Sequence, residues 1–152
     1  MTGQRRLDLL GTVLRLVLGG VIVVAGALKV TNPGQSALAV RAYQVLPYDL
    51  AGYVGYALPV IEIVVGLLLV LGLFTRPAAI AGSLLMLAFV TGIAAAWARG
   101  LSIDCGCFGG GGVIGAEQTA YPWELSRDVA LLLAGVWLVR RPGTAYALDD
   151  RI

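Results

Sequence analysis

Apolar residues in this chain come in long blocks rather than short alternations. Four such runs, at 9–28, about 54–74, 78–98 and 125–139, are separated by segments that hold most of the charges and prolines. A helix rises about 1.5 Å per residue, so about 20 apolar residues cross a bilayer core. The first three runs meet that length, and Tyr121 and Trp123 extend the fourth as interfacial aromatics. The pattern predicts an all-α, polytopic membrane protein. We expect a four-transmembrane-helix bundle forming one domain over residues 1–152, with spans at about 9–30, 52–74, 78–98 and 122–139.

Within the runs, small and polar residues recur at spacings of three and four, which places them on one helix face. The stripes are Gly11, Arg15, Gly19, Ile22, Gly26 and Lys29; then Gly52, Gly55, Pro59, Glu62 and Gly66; then Ala81, Leu85, Ala88, Gly92, Ala95 and Arg99. All three are expected to face the bundle. Glu62 and Arg15 are ionisable groups inside apolar spans, where a lone charge is costly. Counted inward from opposite ends of their spans, they reach similar depth, so an Arg15–Glu62 pair is expected. It would act either as a structural staple or as part of a proton-handling or ligand site. Between the first two spans, Asn32-Pro33-Gly34 reads as a turn. Residues 36–44 read as a short interfacial helix that puts Tyr43 at headgroup level and ends at Pro47.

Composition agrees with the blocks: 59% of the 152 residues are hydrophobic, 13% are charged, and mean hydropathy is +0.86. A net charge of +2 gives no footprint for nucleic acid. There is no histidine, which removes imidazole ligands and imidazole general bases. Arg5, Arg6 and Ala25-Gly26-Ala27 have the look of a signal peptide. The apolar stretch is too long for one and contains Arg15, so the first helix is expected to be retained. With both termini cytoplasmic, the inner segments hold Arg5, Arg6, Arg76, Arg140, Arg141 and Arg151, against Lys29, Arg41, Arg99 and Arg127 outside. That orientation puts the segment between spans three and four on the outer face of the cell membrane.

This outer segment contains both cysteines, in Asp104-Cys105-Gly106-Cys107-Phe108, followed by Gly109 to Gly112. Gly106 permits the tight turn that brings two such thiols within bonding reach. The glycine run is expected to leave them uncovered for another protein's thiol. Asp104 opposes thiolate formation and Arg99 favours it. Three readings follow: a dithiol/disulfide pair, a soft-metal site such as one for Cu(I), or two inert thiols. With no histidine and methionine only at Met1 and Met86, partners for a metal are few, and no metal site is assigned.

Four stretches, "AGALKVTNP", "RAYQVLP", "LPVIEIVVGLLLVLGLFTR" and "IDCGCFG", give the chain a resemblance to the MauE/DoxX group of small redox-associated membrane proteins. The resemblance implies a four-helix bundle engaged in disulfide chemistry outside the cytoplasm, beside a thioredoxin-like or disulfide-bonded partner. By it, Cys105 and Cys107 match the redox pair and Glu62 the acidic residue of the second span. The glycine run is longer than that pattern requires. The chain also resembles vitamin K epoxide reductase-like proteins, but it lacks their C-x-x-C and second cysteine pair. That likeness implies a membrane quinone as cofactor, in an apolar cavity near the loop lined by Trp97, Phe108, Trp123 and the Glu62 region. Trp123 is equally read as an interfacial aromatic. The alternative to a redox protein is a non-catalytic membrane anchor subunit.

Overall fold

The computed structural model describes residues 2–108 and 110–152. Five α-helices, α1 (Thr2–Val30), α2 (Pro33–Ala42), α3 (Tyr48–Leu71), α4 (Thr75–Ala98) and α5 (Tyr121–Arg140), account for most of them. The long helices pack in a ring: α1 against α3, α3 against α4, α4 against α5, and α5 against α1. α2 lies across one end. At that end a two-stranded antiparallel ribbon, β1 (Ile103–Asp104) and β2 (Gly112–Val113), carries the cysteines in its turn.

Among the described residues, α1, α3 and α4 are long and apolar enough to cross a membrane. α5 has 20 residues but bears Glu124, Arg127 and Asp128 in its first half. Glu124 and Asp128 are turned inward and buried, whereas Trp123, Val129, Leu133 and Val136 face outward. The helix therefore shows an apolar outside while hiding its charge.

Glycine sets the helix register. A Cβ on Gly26 would sit 2.8 Å from the Pro59 carbonyl oxygen and 2.9 Å from Glu62 Cβ; one on Gly19 would sit 2.9 Å from the Gly66 carbonyl oxygen. These close approaches lock α1 antiparallel to α3. The stripes expected on α1 and α3 are the buried ones. The stripe expected on α4 is split. Ala81 and Leu85 pack, partly buried, against the core beside Ala79, Gly82 and Met86, whereas Ala88, Gly92 and Ala95 line an open groove. Their small side chains make room for Tyr43, whose ring lies 3.4 Å from where a Gly92 Cβ would stand.

The segment read as a turn at Asn32-Pro33-Gly34 is the start of α2. Asn32 Oδ1 accepts the Gln35 N–H at 3.2 Å, and Pro33 occupies the first turn, where its missing donor does no harm. α2 ends at Ala42, before Pro47, which instead precedes α3. Ser36 Oγ donates to the Gly55 carbonyl at 2.7 Å and Gln35 Nε2 to the Gly111 carbonyl at 2.8 Å. α2 is thus fastened to both α3 and the cysteine ribbon.

The opposite end of the bundle is closed by the chain after α5. Asp149 Oδ1 and Oδ2 accept the N–H groups of Phe74 and Thr75 at 2.7 and 2.8 Å, capping α4. Thr12 Oγ1 donates to the Ala145 carbonyl at 2.7 Å. Arg15 is buried here beside Gly72, within the influence of Asp149 and Asp150. The expected Arg15–Glu62 pair does not form. The α1–α3 register places Arg15 opposite Gly72, ten residues or about 15 Å along α3 from Glu62.

Candidate functional site: the cysteine end of the bundle

Cys105 and Cys107 are joined in a disulfide, with Cα atoms 5.4 Å apart. Gly106 between them has φ +70°, a conformation that disfavours any side chain. A Cβ there would meet Ala39 Cβ of α2 at 2.7 Å. Of the glycine run, Gly109 lies outside the described residues. Gly110 and Gly111 let the backbone return close to Asp104 and Ala39, and Asp104 Oδ2 accepts the Gly111 N–H at 3.1 Å. The glycines therefore bring cover rather than remove it. Cys105 is 7% and Cys107 5% exposed, packed with Ile93, Ala96, Ile103 and Tyr121. This overturns the expectation that the glycine run leaves the cysteines uncovered.

Polar groups from α2 and α5 surround the disulfide. The Tyr43 hydroxyl, at the end of α2, donates to the Cys105 carbonyl at 2.8 Å. Burial first, then the carboxylates of Glu124, Asp128 and Asp104, push this hydroxyl well above the ordinary tyrosine range, so it stays a donor. Glu124 of α5 is buried beside the Cys105 main chain. The Tyr121 hydroxyl donates to the Leu101 carbonyl and accepts the Ile103 N–H, fixing the entry to β1. Arg127, one turn along α5 from Glu124, directs Nη2 to Cys105 Sγ at 3.9 Å. It is held by Asp128 Oδ1 at 2.9 Å and lies over the Phe108 ring at 4.8 Å. The Cys107 N–H also points at Cys105 Sγ, 3.1 Å away.

Deeper in the bundle, Lys29 Nζ donates to Glu62 Oε1 at 2.6 Å, with both side chains at most 3% exposed. Lys29 also lies 5.1 Å from the centroid of Phe89 and feels the charges of Asp128 and Arg127. Charged side chains therefore run inward from the disulfide: Arg127, Asp128, Lys29, Glu62. Among the described residues Glu62 Oε2, Glu124 Oε2 and Asp128 Oδ2 make no hydrogen bond, which leaves three buried carboxylates with free acceptor capacity.

Several sequence expectations are redistributed by this geometry. Arg99 does not approach the thiols; its Nη1 donates to the Gln44 carbonyl at 3.2 Å on the surface. Arg127 is the arginine that lies at the sulfur instead. Tyr43, at the end of α2, turns its ring to the groove and its hydroxyl to the cysteine turn. The apolar cavity is not lined by Trp97, Phe108, Trp123 or Glu62. It is a groove of about 510 Å³ between α3 and α4, walled by residues such as Val54, Leu58, Leu84 and Phe89, with Tyr43 on its border with the cysteine ribbon. Trp97 instead lies against Tyr121, ring centroids 6.1 Å apart, and Trp123 is exposed. Lys29, Tyr43, Glu124, Arg127 and Asp128 had not been singled out as site residues. Spacing was a legible signal for three of them: Lys29 lies on the α1 stripe, and Glu124 and Asp128 lie on an α5 stripe with Tyr121, Leu131, Gly135 and Leu138, all buried.

Fold and site together define a small membrane protein, a helical bundle that carries a close disulfide pair at one end. Within that class the chain belongs to the MauE family: the model for methylamine utilisation protein MauE matches residues 7–141. A search of curated proteins found no significant match. A search of solved structures likewise found none.

Proposed function

We propose that this protein is a membrane-embedded thiol/disulfide redox protein whose Cys105–Cys107 pair exchanges with a thioredoxin-like partner outside the cytoplasm. The observation that carries the reading is the disulfide itself, joined across one residue and surrounded by Tyr43, Glu124 and Arg127. A merely structural cross-link between adjacent turns needs no cation at its sulfur. In this reading four helices cross the membrane, α5 being the fourth, and both termini are cytoplasmic. In the exchange, a partner dithiol gives two electrons to the pair and becomes a disulfide. The protein's dithiol then passes two electrons and two protons to a two-electron acceptor. A lipid-soluble quinone is the acceptor class that the apolar α3–α4 groove beside Tyr43 favours.

The test has two arms. Single Cys→Ser variants in intact cells are expected to trap a mixed disulfide with a partner, and mass-tag alkylation is expected to find the wild-type pair in both redox states. An impermeant thiol reagent is expected to label the reduced pair from outside. A pair that stays oxidised under every growth condition, with no trapped partner, would favour the anchor-subunit reading. Labelling only after the membrane is permeabilised would overturn the orientation.

A further inference from the structure

The two sulfurs of the disulfide do not have equal surroundings. Cys105 Sγ faces the Cys107 N–H at 3.1 Å and the Arg127 guanidinium at 3.9 Å. Among the described residues Cys107 Sγ receives no such donor. We propose that the disulfide is chemically polarised, so that an incoming thiolate attacks Cys107 and Cys105 departs as the stabilised thiolate, with Arg127 as the catalytic residue that sets this direction. The proposal rests on the exchange reading above and adds to it which sulfur is attacked.

The physical argument is that of a leaving group. Thiol–disulfide exchange is faster when the departing sulfur is the better thiolate, and a nearby cation or N–H donor lowers a thiol's pKa. A guanidinium is a permanent cation in proteins. That of Arg127 is fixed in place by Asp128 on one side and the Phe108 ring on the other. Three carboxylates oppose it. Asp128 is paired with the guanidinium through Nε, which leaves Nη2 directed at the sulfur. Asp104 spends part of its charge on the Gly111 N–H, and Glu124 lies one turn away on α5. Tyr43 holds the Cys105 carbonyl, which keeps this half of the turn in place while the other half opens.

The step balances as follows. A partner thiolate attacks Cys107 Sγ. The Cys105–Cys107 bond breaks and its electron pair goes to Cys105 Sγ, leaving a mixed disulfide on Cys107. The partner's second thiolate then attacks its own sulfur in that mixed disulfide, and Cys107 departs as a thiolate. The two protons lost when the partner thiols ionise are regained by Cys105 and Cys107 from water. The partner is oxidised by two electrons and the pair is reduced by two.

The experiment uses the full chain in lipid nanodiscs, reduced with dithiothreitol and then freed of it. A brief pulse of limiting iodoacetamide across a pH series, with each cysteine quantified by mass spectrometry, gives a titration midpoint for each thiol. The midpoint is read rather than the rate, because restricted access slows alkylation without moving it. Cys105 is expected to titrate about one pH unit below Cys107, a tenfold difference in thiolate population. Arg127→Gln is expected to narrow the gap to what the Cys107 N–H alone sustains, and Arg127→Lys to keep more of it. A Cys107 midpoint equal to or below that of Cys105 overturns the polarity while leaving exchange intact, provided partner trapping succeeds. A gap undiminished in a folded Arg127→Gln protein overturns the role of Arg127. A pair that dithiothreitol cannot reduce sinks both readings together. Should Arg127→Gln fail to fold, the order of the two wild-type midpoints alone decides the direction.

Discussion

Lys29 Nζ lies 2.6 Å from Glu62 Oε1 where the α1–α3 contact nears the end of α1, and neither side chain reaches the surface. The pair sits where Gly26 lets the two helices approach, so glycine and charge act together: without close packing the ions would not be shielded, and without the pair the packing would bury a bare charge. Removing one partner is therefore expected to be far worse than removing both. Glu62→Gln or Lys29→Met alone should lower stability by about 3–5 kcal/mol. The double variant Lys29→Met/Glu62→Leu should recover most of that loss. Unfolding in detergent micelles measures all four proteins. A Glu62→Gln protein as stable as wild type would remove the pair from any structural account.

Tyr43→Phe deletes the hydroxyl that holds the Cys105 carbonyl. A loss of about 1 kcal/mol is expected, together with faster amide exchange at Cys105–Cys107 and faster reduction by a phosphine. The hydroxyl is held above its ordinary range by burial and by Glu124, Asp128 and Asp104. Its contribution is complete below the range where an unfolded tyrosine ionises. It declines as pH rises through that range, because the unfolded chain then releases a proton that the folded chain keeps. Wild type should thus lose stability relative to Tyr43→Phe in an alkaline series, and parallel curves would contradict this.

Asp149 caps α4 from the far end of the chain. Burial alone would raise its carboxyl, but the N–H groups of Thr75 and Phe74, with Arg15 nearby, outweigh that and hold it below the ordinary aspartate range. A depressed carboxyl stabilises the fold above its unfolded pKa and ceases to do so as pH falls through the folded one. Because the side chain is exposed, the pH-dependent part is small. Asp149→Ala should cost about 1 kcal/mol near neutral pH and release the segment after α5, seen as proteolytic trimming. In acid the difference from wild type should narrow.

Gly106 and Gly100 share a left-handed backbone, φ +70° and +69°, but only Gly106 faces a neighbour within 4 Å. Gly100→Ala should therefore register backbone strain alone, about 1 kcal/mol. Gly106→Ala should add a collision with Ala39, loosen α2 from the ribbon and speed disulfide reduction. Equal effects of the two substitutions would mean that α2 is not what covers the cysteines.

The sequence by itself determined the elements and much of what they bury. Long apolar runs forecast α1, α3 and α4, because a 3.6-residue period and a bilayer's thickness are local constraints. The glycine stripes of α1 and α3 were legible for the same reason, since a face is a property of one helix. Cys105 and Cys107 were legible as a pair because Gly106 is the residue a tight turn needs. What no single helix contains is the register between helices, and the tertiary structure decided it. Close backbone approach at Gly19 and Gly26 sent Glu62 to Lys29 and left Arg15 beside Gly72. Only Ala81 and Leu85 of the α4 stripe stay at the core, because small residues serve a helix contact and an open groove equally well. Arg127 displaced Arg99 at the sulfur because α5 packs beside the ribbon, whereas the end of α4 turns to the surface. Charge and spacing are written along the chain, but which charges meet depends on how closely the helices approach.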